Sequence, residues 1–185
     1  RVRARNEDFV FCDEALGIAV LADGMGGHAG GNVAARLAVD AWVGRIRKCL
    51  VEPVGERDLR VAVADANRVV FAAACADPAL RRMGTTLVAA CFRRDDTLLT
   101  CNVGDSRLYR LRGDVLSCLT RDHSVLRAQC DAGMIESESN GPLALRGLLT
   151  RAVGVAACVV ADVTISSLQP GDVYLLCSDG LTEML

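Results

Sequence analysis

Apolar and polar positions follow two different rhythms along this chain, and the change of rhythm divides it. Residues 9–12 and 17–22 are short apolar runs joined by Asp13-Glu14-Ala15-Leu16, the pattern of a strand pair with a tight turn. The glycine-rich segment 24–31 follows, and the period then lengthens. Val33, Leu37, Ala38, Ala41, Trp42 and Ile46 fall on one helical face, with Arg36, Asp40, Arg47 and Lys48 largely off it. Asn32 is the predicted N-cap of this helix. The basic cluster Arg45 to Lys48 suits its solvated C-terminal end, where cations are favoured. Pro53 and Gly55 interrupt the chain. A second helix carries Leu59, Ala62, Val63, Ala66, Val69, Val70 and Ala73 on its apolar side. It is expected to end at Asp77-Pro78, because a residue before proline disfavours helical backbone.

Beyond that point the rhythm returns to strands. Residues 85–92, 97–103, 107–112 and 115–119 are short aliphatic or β-branched runs separated by turn residues, with Arg112-Gly113-Asp114 as a hairpin signal. Asp122 or Ser124 is placed to cap a short helix through Ala132, closed by Gly133. Residues 136–146 are polar, contain Gly141-Pro142, and read as an exposed loop or flap. Two further strands, 159–168 and 173–178, flank the turn Gln169-Pro170-Gly171-Asp172. Two adjacent helices among mostly hairpin-linked strands predict an α+β fold with a largely antiparallel sheet, since most connections are too short for crossovers.

Composition narrows the class. The chain has 185 residues, 51% of them apolar but only 4% aromatic, so the core is expected to be aliphatic. A formal charge of −2 gives no basic footprint for nucleic acid or an anionic membrane. No run is long and apolar enough to span a bilayer as a helix, and no signal-peptide pattern is present. The nine cysteines include no Cys-x-x-Cys pair, and reduced, buried thiols in a cytosolic protein are the expectation. The chain begins at Arg1 and stops at Leu185 just after what reads as a helix start, so a C-terminally incomplete single domain over 1–185 is expected.

The chemistry is carried by acidic residues at the ends of apolar runs. Asn6-Glu7-Asp8 precedes Phe9, Asp23-Gly24 follows Ala22, Asp105 follows Val103-Gly104, and Asp179-Gly180 follows Cys177-Ser178. A carboxylate at a buried sheet end is costly without a counter-charge. Asp8, Asp23, Asp105 and Asp179, supported by Glu7, offer oxygen ligands to hard cations such as Mg2+ or Mn2+. Gly24 has no side chain to keep its carbonyl from a metal. Such ions lower the pKa of water at a phosphoryl group, and no Gly-x-Ser-x-Gly nucleophile elbow competes for the role. Arg3 is a candidate for gripping a phosphate dianion, and His28 for protonating a leaving oxygen.

These segments resemble the metal-dependent serine/threonine protein phosphatases of the protein phosphatase 2C family, in its bacterial branch. The resemblance runs through Arg3-x-x-Asn6-Glu7-Asp8, residues 21–31 (LADGMGGHAGG), Met83-Gly84-Thr85-Thr86, residues 102–109 (NVGDSRLY), residues 120–124 (TRDHS), residues 149–154 (LTRAVG) and residues 171–181 (GDVYLLCSDGL). It implies two stacked antiparallel sheets flanked by helix pairs, an αββα sandwich whose last helix and closing strands are missing here. It further implies that Asp23 bridges two metals and Gly24 ligates one through its carbonyl. Asp179 would bind the second, and Asp105 with Asp179 a third. Glu7 and Asp8 would hold metal-bound waters, Arg3 the substrate phosphate, and His28 the acid role. Residues 133–146 match the family's flap. The implied substrates are phosphoserine and phosphothreonine proteins, opposed to a eukaryotic-like serine/threonine kinase, and a cytoplasmic monomer is expected. The family's Gly-x-Asp-Asn-x-Thr segment, with a further metal ligand, has no match in this chain, so an inactive phosphoprotein-binding module is the alternative.

Overall fold

In the computed structural model, the described residues are 6–26, 30–49 and 53–182. The arrangement follows from where the apolar residues lie. The strands β1 (Asp8–Asp13), β2 (Ile18–Met25), β4 (Leu87–Phe92), β5 (Thr97–Val103) and β8 (Asp162–Ser167) form one antiparallel sheet in the order β1-β2-β4-β5-β8, and the two-residue β3 (Gly84–Thr85) pairs with the end of β2. A smaller antiparallel sheet has the order β7-β6-β9, from β6 (Arg107–Arg112), β7 (Val115–Cys118) and β9 (Val173–Cys177).

The helices α1 (Gly30–Lys48) and α2 (Glu56–Ala76) cover one face of the larger sheet. Trp42, Ile46, Leu59, Val63 and Val70 on the helices meet Val20, Leu87, Leu99 and Cys101 on the strands, all of them almost fully withdrawn from water. The other face packs on the small sheet through Leu21, Val88, Ala90, Leu98 and Leu108, with Phe92, Tyr174 and Leu176 at the margin. The larger sheet is therefore buried on both sides, which explains why β4 and β5 read as continuous apolar runs rather than alternating ones. The small sheet buries one face only. Its other face carries Leu111, Leu116, Val173 and Leu175, between 39% and 65% exposed, so this side of the sandwich has no cover among the described residues.

The helix α3 (Val125–Asp131) is capped by Ser124, whose hydroxyl accepts from Arg127 N–H at 3.1 Å. Two single 3-10 turns, Glu138–Asn140 and Leu143–Leu145, shape the exposed stretch expected as a flap. A last helical turn, α4 (Asp179–Thr182), follows β9.

Three expectations are corrected. Helix α1 begins at Gly30, so Asn32 lies inside its first turn and is not the cap. The strand expected over 85–92 is broken, because Thr86 leaves the ladder to bond Asp23. All nine cysteines are free, but only Cys91, Cys101 and Cys177 are buried; Cys12, Cys75, Cys118 and Cys158 are exposed. An apolar neighbourhood in sequence marked these four strand, helix and loop positions without saying which face each presents.

Candidate active site

Antiparallel pairing collects the acidic residues at one end of the sandwich. Asp8 opens β1 directly opposite Asp23 near the end of β2. Asp105 follows the end of β5, and Asp179 follows the end of β9 in the small sheet. The two sheets are tied there by the Ser178 hydroxyl, which donates to Asp8 Oδ2 at 3.1 Å.

Asp23 is the centre of the group. It is 9% exposed, and its carboxyl is pushed up to about 8, first by burial and then by the charges of Asp8 and Asp179. Asp105 is pushed up to about 6, again by burial first and then by Asp179 and Asp122. Carboxyl groups so crowded resist ionisation unless positive charge is supplied. An all-oxygen donor set suits Mg2+ or Mn2+ rather than a soft metal. Among the described residues no group of three or more Asp, Glu, His or Cys side chains is placed to hold a metal ion by itself. That agrees with ions that take only a few carboxylates and complete their shell with carbonyls and water. The donor chemistry and the mutual repulsion fit a divalent metal at Asp8, Asp23, Asp105 and Asp179.

The backbone near Asp23 is held from several directions. Its N–H donates to Thr86 Oγ1 at 2.9 Å, and its carbonyl accepts from Thr86 N–H at 2.9 Å and from Thr85 Oγ1 at 2.9 Å. The Thr86 and Ser106 hydroxyls are 2.7 Å apart and both buried, so the neighbours of Asp23 and Asp105 share a hydroxyl bridge. Either hydroxyl can donate in this bridge, since Thr86 Oγ1 keeps a second lone pair beside the one that accepts from Asp23 N–H.

Gly24 is explained by packing. A Cβ there would lie 2.1 Å from the Gly31 carbonyl oxygen, and one on Gly31 would lie 2.8 Å from the Glu7 carboxyl carbon. Two glycines thus let the first turn of α1 sit against β2 and bring Glu7 to the positive end of that helix. The Glu7 carbonyl accepts from Gly24 N–H at 3.2 Å.

Beside these carboxylates lies an open cleft of about 450 Å³, lined among others by Asp105, Asp179, Arg107, Asp122, Glu138 and Arg146. Arg107 grips Asp122 through Nε at 2.9 Å and a second nitrogen at 2.6 Å, which makes it a braced wall of the cleft. A more apolar hollow, lined by Leu16, Val54 and Phe92, sits at the opposite end of the larger sheet and holds none of these carboxylates.

Of the candidate residues, Asp8, Asp23, Asp105 and Asp179 are brought together, with Glu7 and Gly24 at the margin. Arg3 and His28 lie outside the described residues. Sequence reasoning missed the roles of Thr86, Ser106, Ser178 and Asn67. Paired threonines ahead of the apolar run 87–91 were a signal, as was an asparagine within the apolar face of α2.

The Protein phosphatase 2C family matches residues 2–185. The serine/threonine phosphatase stp of Listeria innocua is 38% identical over 192 residues, covering 100% of this chain and 75% of that protein. The serine/threonine protein phosphatase PstP of Mycobacterium tuberculosis is 38% identical over 184 residues, covering 98% of this chain and 34% of that protein. The crystal structure of PstP from that organism superposes with a TM-score of 0.88 at 37% identity, over 100% of this chain and 77% of that one. A structure of the PstP catalytic domain in complex with two manganese ions superposes with a TM-score of 0.85 at 36% identity, over 100% of this chain and 76% of that one. With residues 2–185 matched by the family and the whole fold superposed on solved relatives at 36–37% identity, this chain belongs to the protein phosphatase 2C family.

Proposed function

We propose that this chain hydrolyses phosphoserine and phosphothreonine in proteins at the sheet end that carries Asp8, Asp23, Asp105 and Asp179. The observation that carries the reading is the convergence of four acidic residues on one sheet end, with Asp8 paired opposite the buried Asp23 and Asp105 and Asp179 following the ends of β5 and β9, where burial and neighbouring charge push the Asp23 carboxyl upward. Such a group is unstable as an anion until cations arrive. Bound there, divalent Mn2+ or Mg2+ would supply Lewis acidity toward a phosphoryl oxygen and make a water acidic enough to attack at neutral pH.

The protein's own part is to hold and orient. Asp23 would bridge two ions, the Gly24 carbonyl would complete one shell, and Asp179 would serve the second. Asp105 with Asp179 would hold a further ion, while Glu7 and Asp8 would orient water. The Thr85 and Thr86 hydroxyls hold the Asp23 backbone, and Ser106 braces Thr86 in turn, which pre-positions the carboxylate for its ligands. Arg3 is proposed to bind the substrate phosphate through two parallel hydrogen bonds, and His28 to protonate the departing serine or threonine oxygen. The open cleft of about 450 Å³ beside Asp105 and Asp179 is the proposed entry for a phosphorylated side chain. A cytosolic monomer acting against a eukaryotic-like serine/threonine kinase completes the proposal.

Steady-state hydrolysis of a phosphothreonine peptide, with and without Mn2+, tests it, with a phosphotyrosine peptide as comparator. Metal-dependent release of phosphate from phosphothreonine, lost in Asp23→Ala, is expected. A folded, metal-loaded protein that binds the peptide without turnover would favour a phosphoprotein-binding module instead.

A further inference from the structure

His123 is a buried histidine, 5% exposed, that makes no contact with the cleft's candidate ligands through its ring. Two of its bonds converge on one residue. His123 N–H donates to the Gly104 carbonyl at 2.9 Å, and Gly104 N–H donates to His123 Nδ1 at 3.2 Å. The Gly104 carbonyl belongs to the peptide plane that leads into Asp105, and the Gly104 N–H belongs to the plane before it. Both planes around Gly104 are therefore fixed by the same residue. Gly104 itself has φ +103°, and a Cβ there would lie 2.6 Å from Thr86 Cγ2, so this backbone turn admits no ordinary side chain.

The ring's protonation state follows from its partners. A backbone N–H can only donate, so Nδ1 must be the unprotonated nitrogen, and the proton resides on Nε2. Nε2 faces Asp162 Oδ2 at 3.2 Å. Asp162 Oδ1 in turn takes Arg151 NH1 at 2.7 Å. Arg151 NH1 also lies 3.1 Å from His123 Nε2, but two donors cannot bond each other, so both are held through the shared carboxylate. His123 is anchored from behind by its carbonyl, which accepts from Thr150 N–H at 2.8 Å.

We propose that His123, locked in the Nε2–H tautomer by Asp162, is a positioning residue that sets the orientation of Asp105 through the two peptide planes of Gly104. The inference rests on the reading of Asp105 as a metal-site carboxylate. Asp162 and Arg151 act one step further back. A histidine oriented by a carboxylate is a common support for a metal site, here delivered through backbone rather than through direct ligation.

The test is Mn2+ binding, measured by calorimetry and electron paramagnetic resonance in the complete natural protein, together with ¹⁵N NMR of the ring in the metal-free state. Asp105→Asn first identifies the Asp105-dependent site. His123→Ala is expected to weaken that site about 10–100-fold while the Asp23-dependent site changes by less than about threefold. His123→Asn, whose Oδ1 can take the place of Nδ1 toward Gly104 N–H, is expected to recover most of the loss. The NMR spectrum is expected to show an unprotonated Nδ1 and a protonated Nε2. Unchanged binding in His123→Ala, equal weakening of every site, or the Nδ1–H tautomer would overturn the proposal. If Asp105→Asn leaves Mn2+ binding unaltered, the metal-site reading of Asp105 falls and this proposal falls with it, a result distinct from the others.

Discussion

Asp23 and Thr86 exchange two hydrogen bonds: Asp23 N–H donates to Thr86 Oγ1 at 2.9 Å, and Thr86 N–H donates to the Asp23 carbonyl at 2.9 Å. The backbone that carries the central carboxylate is thus pinned by a residue that has left its own strand to do so. Thr86→Val keeps the branched shape and removes the hydroxyl, leaving the buried Asp23 N–H without its acceptor. A stability loss of about 1–3 kcal/mol is expected, with a fall in kcat larger than any rise in KM for the peptide. Thr86→Ser is expected to restore both, as read by urea unfolding and steady-state kinetics.

The metal-free protein carries a pH-dependent liability at Asp23. Its folded pKa of about 8 stands above the ordinary carboxylate value of 3.8, so the folded state binds the proton more tightly than the unfolded chain. This contribution is fully present below 3.8 and is lost as pH rises toward about 8. In chelator, the wild-type melting temperature is therefore expected to fall, relative to Asp23→Asn, between pH 4 and 8. Added Mn2+ is expected to raise the wild type far more than the variant, since a ligand stabilises only the state that binds it. Thermal melts across that pH range with and without metal provide the check.

Asn67 ties helix α2 to the loop ahead of β8. Its Oδ1 accepts from Gly154 N–H at 2.7 Å, and its Nδ2 donates to the Ala156 and Ala157 carbonyls at 3.0 and 3.1 Å. Val153 in that loop bridges to Thr85, whose hydroxyl reaches the Asp23 carbonyl. Asn67→Ala is expected to cost about 2–3 kcal/mol in denaturant unfolding, through buried groups left without partners. Reduced Mn2+ affinity, measured by calorimetry, is expected to accompany it through Val153 and Thr85.

The uncovered face of the small sheet makes its own prediction. Leu111, Leu116, Val173 and Leu175 are cross-strand neighbours on one side and substantially exposed. The 185-residue chain by itself is expected to bind a hydrophobic dye and to self-associate at high concentration. Leu111→Thr with Leu175→Thr should reduce both while shifting stability by no more than about 1 kcal/mol, as read by dye fluorescence and light scattering.

Much of this was legible in sequence because local pattern and tertiary demand agreed. Strands β5 and β6 run over 97–103 and 107–112 as expected, and α2 stops at Ala76 before Asp77-Pro78. The acidic residues at strand ends were visible because charge beside an apolar run is unusual. What escaped was set by distant partners. The break at Thr86 answers to Asp23, sixty-three residues away, and no local periodicity encodes it. The first turn of α1 answers to glycines that pack against β2 and Glu7, a contact between segments that no local capping pattern encodes. Exposure of Cys118 depends on a sheet face that only the pairing of β6 with β7 defines.

Anomalous diffraction at the manganese edge, from crystals of the protein grown with Mn2+, addresses the central claim most directly. The expected map has two strong peaks flanking the Asp23 carboxylate, one beside the Gly24 carbonyl and one toward Asp179, both absent from Asp23→Ala crystals. Peaks located elsewhere, or an Asp23 side chain without a metal neighbour at saturating Mn2+, would contradict the account.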